Sequence, residues 1–144
     1  QYSTDRFRKV LPIIIDRIAK FADVKTMWTD GELAYFFDTP VYVRDNLFFK
    51  KTKFVDADTK YEHLSAVVGE VATMLESADW SSADSIKESI WAYAESIGRG
   101  DVLWPMRMAL SGAEKSPDPF TLAYVLGQTE TLTRLRNAEQ LLLN

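Results

Sequence analysis

The sequence predicts an all-α protein, a helical bundle of five to eight helices, on three observations. Apolar residues recur at helical spacing along most of the chain. No stretch alternates convincingly with period two. Ser, Thr, Asp, Gly and Pro stand where helices start and stop. With 144 residues, 47% hydrophobic and 26% charged, the composition fits one globular domain or two small helical subdomains sharing a core. A boundary near Ser77 to Ser82 divides it into a first helical subdomain over 1–80 and a second over 81–144.

Thr4 or Ser3 caps the first helix, and Pro12 marks a break and the restart of a second, from Leu11 to about Ala22. In that segment Leu11, Ile14, Ile15, Ile18 and Phe21 form the inward stripe. Thr29-Asp30 caps a helix through Glu32 to Phe37, which Thr39-Pro40 ends. Val41 to Val55 interleaves Tyr42, Phe48, Phe49 and Phe54 with Lys50, Lys51 and Lys53, and reads as loop with some helix or as a short hairpin.

The next helix is strongly signalled: Asp58 or Thr59 caps it, and Leu64, Val67, Val68, Val71, Leu75 and Ala78 trace one face. Ser81 or Ser82 caps another, in which Ile86, Ile90, Tyr93, Ala94 and Ile97 keep the period and Gly98 and Gly100 close it. Pro105 sits where a helix begins, tolerated because first-turn N–H groups lack intrahelical partners. Leu103, Met106 and Leu110 are its stripe, Arg107 lies about 100° round from Met106, and Gly112 is the stop. Ser116-Pro117-Asp118-Pro119 fixes φ twice before a helix starting near Phe120. The last helix runs from about Gln128 to Leu143, with Leu132, Leu135, Ala138 and Leu142 inward.

Net charge is −4 with a sequence pI near 5.0, which argues against a strongly salt-driven nucleic-acid binder. The charge is uneven: residues 1–60 hold 11 Lys/Arg against 9 Asp/Glu, whereas 61–144 hold 6 against 12. Without cysteine, disulfides, thiolate metal sites and cysteine nucleophiles are excluded. The only histidine, His63, reads as an ordinary surface or packing residue, so neither a His/Cys metal cluster nor a multi-histidine site can be built. Gly98-Arg99-Gly100 lacks the third glycine and preceding strand of a phosphate loop, and the paired Asp56 and Asp58 sit in a capping loop. Arg99-Gly100-Asp101 spells an adhesion tripeptide, a match that three residues make readily by chance. No apolar run approaches ~18 residues and no signal-peptide pattern opens the chain. The reading is soluble, cytoplasmic and monomeric, and a start at Gln1 without methionine suggests a piece of a longer protein.

From Asp101 to Gly127 the pattern becomes specific. Leu103-Trp104-Pro105-Met106-Arg107-Met108-Ala109-Leu110-Ser111-Gly112 is followed by Ser116-Pro117, Phe120, Leu126-Gly127, then Leu132, Arg134 and Leu135. This resembles the C-terminal anticodon-binding domain of bacterial glutamyl-tRNA synthetases. Upstream, Asp16-Arg17-Ile18 followed by Phe36-Phe37-Asp38 is similar to the family's other recurring segment, so the resemblance spans essentially the whole chain, weakest from Val41 to Ala57.

The resemblance implies an α-helical reader of the tRNA(Glu) anticodon loop from a class I ligase that joins glutamate to its tRNA. The catalytic half, with its Rossmann core and ATP motifs, is absent from this chain. The chain alone is then not catalytic, carries no cofactor or metal, and has the parent's catalytic domain as a partner. ATP and Mg belong to that parent.

Under the same resemblance Arg107 matches the arginine that contacts the first anticodon base, with Ser116, Pro117 and Pro119 in the adjoining turn. A guanidinium only donates, and cytosine and uracil both offer an O2 acceptor, so one arginine can accept either pyrimidine. Pro117 and Pro119 are either flat surface for a splayed base or stiff-turn residues only. Trp104 either joins the site or packs in the core. Arg17 matches the position that reads the third base, where an arginine suits the acceptors of cytosine and opposes the donors of guanine, or else forms a plain salt bridge. The family's further arginine before the signature has no counterpart around Ile90 and Trp91, and Trp91 and Tyr93 either stack on a base instead or pack in the core. The competing reading is a helical protein-interaction module without RNA binding, ahead of a small helical enzyme, which the missing nucleophile and metal constellations disfavour.

Overall fold

A computed structural model describes residues 4–18 and 33–144, without the side chains of 16–18. Six α-helices and two 3₁₀ turns make up these residues: α1 (Thr4–Ile18), the turns Ala34–Phe36 and Arg44–Leu47, α2 (Lys60–Glu76), α3 (Ala83–Ile97), α4 (Arg99–Ser111), α5 (Pro119–Leu126) and α6 (Gln128–Leu143). The protein is all-α, and no strand occurs among the described residues. None of their helices is long and apolar enough to cross a membrane.

Helix α4 is the hub. Val102, Met106, Met108, Ala109 and Leu110 are all buried, so its apolar surface is no single stripe, as expected of a helix enclosed on several sides. It packs against α2, α3, α5, α6 and both 3₁₀ turns. The most extensive helix pair is α2 with α6. Ser65 donates to the Glu139 carbonyl at 3.1 Å, and Arg136 bridges Glu76 and Glu139, both at 2.9 Å. At Gly69 a Cβ would lie 2.6 Å from a Glu139 carboxylate oxygen, so the carboxylate sits against the glycine. One apolar cluster runs from Val10 to Leu142, through both sides of the expected 80/81 boundary.

Several expected boundaries move. α1 continues through Pro12 without a break, and its buried residues are Val10 and Ile14, whereas Leu11 is 40% and Ile15 64% exposed. Pro12 and Arg8, whose carbonyl Pro12 leaves without an intrahelical donor, both face solvent, so water can satisfy that carbonyl. The expected end at Ala22 and the Thr29-Asp30 cap lie outside the described residues. Likewise, α4 starts six residues before Pro105, which is interior and buried. Gly98, at φ 130°, both ends α3 and opens α4, a backbone conformation that excludes most side chains. Gly100 therefore lies inside α4 rather than closing α3, and the Phe49 ring occupies the place its Cβ would take, 2.3 Å away. Thr59 is the N-terminal flank of α2 but makes no side-chain cap, whereas Ser82 accepts from the Ser85 N–H at 3.0 Å as its position suggests.

Candidate functional site

α4 carries Trp104 and Arg107 one turn apart, on the edge that its buried stripe leaves half-covered. The Arg107 guanidinium lies 5.0 Å from the centroid of the Trp104 ring, within cation–π range. Its Nη1 donates to the Ser116 carbonyl at 3.3 Å. No carboxylate among the described residues pairs with it. Arg107 thus keeps most of its donors available beside an aromatic face.

The turn that receives Arg107 is built by hydroxyls. Ser111 Oγ lies 2.9 Å from the Arg107 carbonyl and accepts from the Ala113 N–H at 3.1 Å. Ser116 Oγ donates to the Ala113 carbonyl at 3.1 Å. Gly112 reverses the chain at φ 65°, in the left-handed region where a Cβ is costly. Asp118 then caps α5, accepting from the N–H groups of Phe120 at 3.0 Å and Thr121 at 2.9 Å.

Arg107, Trp104 and Ser116 therefore come together, with the half-buried Pro117 next in the chain after Ser116. The Ser116 hydroxyl is engaged by the turn, while its carbonyl orients Arg107. Pro119 is the first residue of α5 and is buried, so flat proline surface at this turn is that of Pro117. Trp104 is half-buried, and its Nε1 donates to the Asn46 carbonyl at 3.0 Å, linking α4 to the second 3₁₀ turn. Arg17 belongs to the backbone of α1, and its side chain lies outside the described residues.

A second arginine of the signature is structural. Arg134 is 3% exposed and donates to the carbonyls of Tyr35 and Leu110, each at 2.6 Å, and of Asp38 at 3.1 Å, with Glu130 at 3.1 Å as its counterion. Burial pulls its pKa below the usual arginine range, and the hydrogen bond and charge of Glu130 oppose that shift. It fastens the 33–40 segment to the end of α4, immediately before the turn that receives Arg107.

Sequence reasoning gave no role to a cluster across the Trp104–Asn46 bond. The Arg44 guanidinium stacks 3.8 Å from the Tyr61 ring centroid, and Lys60 Nζ lies 4.9 Å from Tyr61 and 5.1 Å from Phe48. The interleaved lysines and aromatics of 41–55 were its signal. His63 is exposed beside Phe54, and Asp56 accepts from the Asp58 N–H at 2.9 Å, so these residues serve packing and a turn. Among the described residues no group of three His, Cys, Asp or Glu is placed to hold a metal.

Comparisons with known proteins bear on the chain as a whole. A family model described as an anticodon binding domain matches residues 1–139. The chain is 30% identical over 135 residues to a glutamate–tRNA ligase of Christiangramia forsetii, covering 90% of this chain and 24% of that protein. It is 33% identical over 134 residues to a glutamate–tRNA ligase of Deinococcus radiodurans, covering 92% and 25%. The crystal structure of a glutamate tRNA ligase from Elizabethkingia meningosepticum in complex with its amino acid superposes with a TM-score of 0.71 at 29% identity, over 97% of this chain and 26% of that one. The chain thus spans about a quarter of the length of these relatives.

Proposed function

The chain belongs to the anticodon-binding-domain family, homologous to part of the glutamate–tRNA ligases, and on that premise we propose that Arg107 and its turn read the first anticodon base of tRNA(Glu). The observation that carries this is the position of Arg107: a guanidinium without a carboxylate partner among the described residues, held by the Ser116 carbonyl beside the Trp104 face. A cytosine or uracil set against Trp104 or Pro117 offers O2 to the remaining donors, and stacking on such a surface contributes roughly 1–3 kcal/mol. Purines lack that acceptor at that place. Arg17 is assigned to the third base, where cytosine accepts from a guanidinium and guanine opposes it with N1–H and N2–H₂.

The protein that carries this chain would then ligate glutamate to tRNA(Glu) in the cytoplasm, as a monomer. Its catalytic remainder would supply the ATP and Mg chemistry. This chain offers no phosphate loop for ATP, and its own task is selection.

Competition binding tests the reading. Full-length protein is titrated with tRNA(Glu) transcripts in which only the first or the third anticodon base is changed. Pyrimidines at the first position should bind alike and at least about tenfold tighter than purines, and an Arg17→Gln variant should lose the preference for C over G at the third. Equal binding of pyrimidine and purine would overturn the Arg107 assignment, and an unchanged C/G ratio would overturn that of Arg17.

A further inference from the structure

The cluster around Arg44 is an odd feature for an acidic domain. Arg44, Lys50 and Lys60 stand within one stretch, and none of them forms an ion pair with a carboxylate among the described residues, although Asp and Glu outnumber Lys and Arg in the whole chain. Two of the three cations are held by aromatic faces: Arg44 by Tyr61, and Lys60 by Tyr61 and Phe48. The Tyr61 hydroxyl donates to Asp45, which fixes the ring beneath Arg44. Phe48 and Tyr61 meet edge to face at 5.5 Å between centroids. Such stacking orients a cation while leaving its charge unneutralised.

A cleft of about 330 Å³ connects this cluster to the Arg107 turn, with Asn46, Phe48 and Lys50 on one wall and Trp104, Met108 and Gly112 on the other. The carboxylates of Asp45 and Glu114 also border it. Because Trp104 packs on Arg107 and bonds to Asn46, the cleft begins where the base-reading surface ends. A chain of phosphates leaving a base held at Arg107 through this cleft would meet Lys50, and Phe48, which Lys60 faces, lines the same cleft.

We propose that Arg44, Lys50 and Lys60 form a backbone track that neutralises phosphates of the RNA strand flanking the base read at Arg107. This rests on the anticodon-reading proposal for its ligand, and it assigns these residues affinity without selectivity, since phosphates carry no sequence information.

Salt-dependent titration separates the two proposals. Full-length wild type, Lys50→Gln and Arg44→Gln/Lys50→Gln are each titrated from 50 to 200 mM salt with two tRNAs, one with a glutamate and one with a glutamine anticodon. Arg107→Ala is measured alongside. Lys50 is exposed, so its replacement leaves the fold intact. The log–log salt slope should become shallower by about 0.7 for each cation removed, with affinity falling by the same factor for both tRNAs. An unchanged slope, or a loss confined to one anticodon, overturns the track. If the track variants behave as expected while Arg107→Ala binds like wild type, the track stands and the Arg107 assignment fails. If the wild type binds neither RNA, both fail, and the cations face a different partner.

Discussion

Arg134 donates to three main-chain carbonyls at once from an almost completely buried position, and that fixes what its loss does. An Arg134→Met change keeps the bulk but removes the hydrogen bonds from Arg134 to those carbonyls and the ion pair with Glu130. Each unsatisfied buried group costs about 1–3 kcal/mol, so the variant should be less stable by about 3 kcal/mol or more. Urea unfolding followed by circular dichroism would read this as a lower midpoint; an unchanged midpoint would show that the 33–40 segment is held by apolar contacts alone. Arg107 has the same side chain in the opposite setting, half-exposed with one carbonyl partner. Both arginines stand in the signature that carried the family resemblance. Spacing placed Arg107 at the edge of the core stripe, but no periodicity announces that an arginine at 134 is buried, because its partners are carbonyls distant in sequence.

At the level of elements, legibility followed the kind of signal available. α2 and α6, with regular stripes such as Leu64-Val68-Val71-Leu75, and the Ser82 cap of α3 were readable because one face meets the core and the other meets water. Two of the misplaced boundaries come from prolines. Pro12 and Pro105 each sit inside a helix, since proline removes one hydrogen bond and this fold absorbs that loss in continuous helices. The 41–55 segment defied period counting because it is held by single long-range bonds. Examples are the Lys53 N–H to Asp101 at 3.2 Å and the Phe49 ring on Gly100. α5 is only eight residues long and relies on its start: Asp118 accepts from two N–H groups and from the Thr121 hydroxyl at 2.7 Å. Asp118→Ala should cost about 1 kcal/mol and loosen the turn that holds Ser116. Thermal unfolding checks the first effect, and a melting temperature equal to wild type would show that packing of Phe120 and Leu122 sets α5 by itself.

Across the whole molecule, α4 joins the two halves of the chain: its buried faces complete the core, and its half-covered edge presents Trp104 and Arg107. α1 closes over the far end of α5, where Arg6 donates to the Leu126 carbonyl at 3.0 Å and Lys9 to that of Tyr124 at 3.2 Å, cations at the negative end of a helix. Among the described basic residues of the first half, Arg6 and Lys9 thus hold the bundle together, while Arg44 and Lys60 stack on outer aromatic faces. The domain's acidity is compatible with the proposed RNA-reading role, because specificity needs a few placed donors rather than a basic surface. The central claim is that Arg107 contacts an anticodon base. It is tested most directly by equilibrium titration of the full-length protein, wild type and Arg107→Ala, with tRNA carrying a glutamate anticodon. A base-reading arginine contributes about 1–3 kcal/mol, so the variant should bind about tenfold or more weakly with its melting temperature unchanged. Equal affinity in the two proteins would contradict the account.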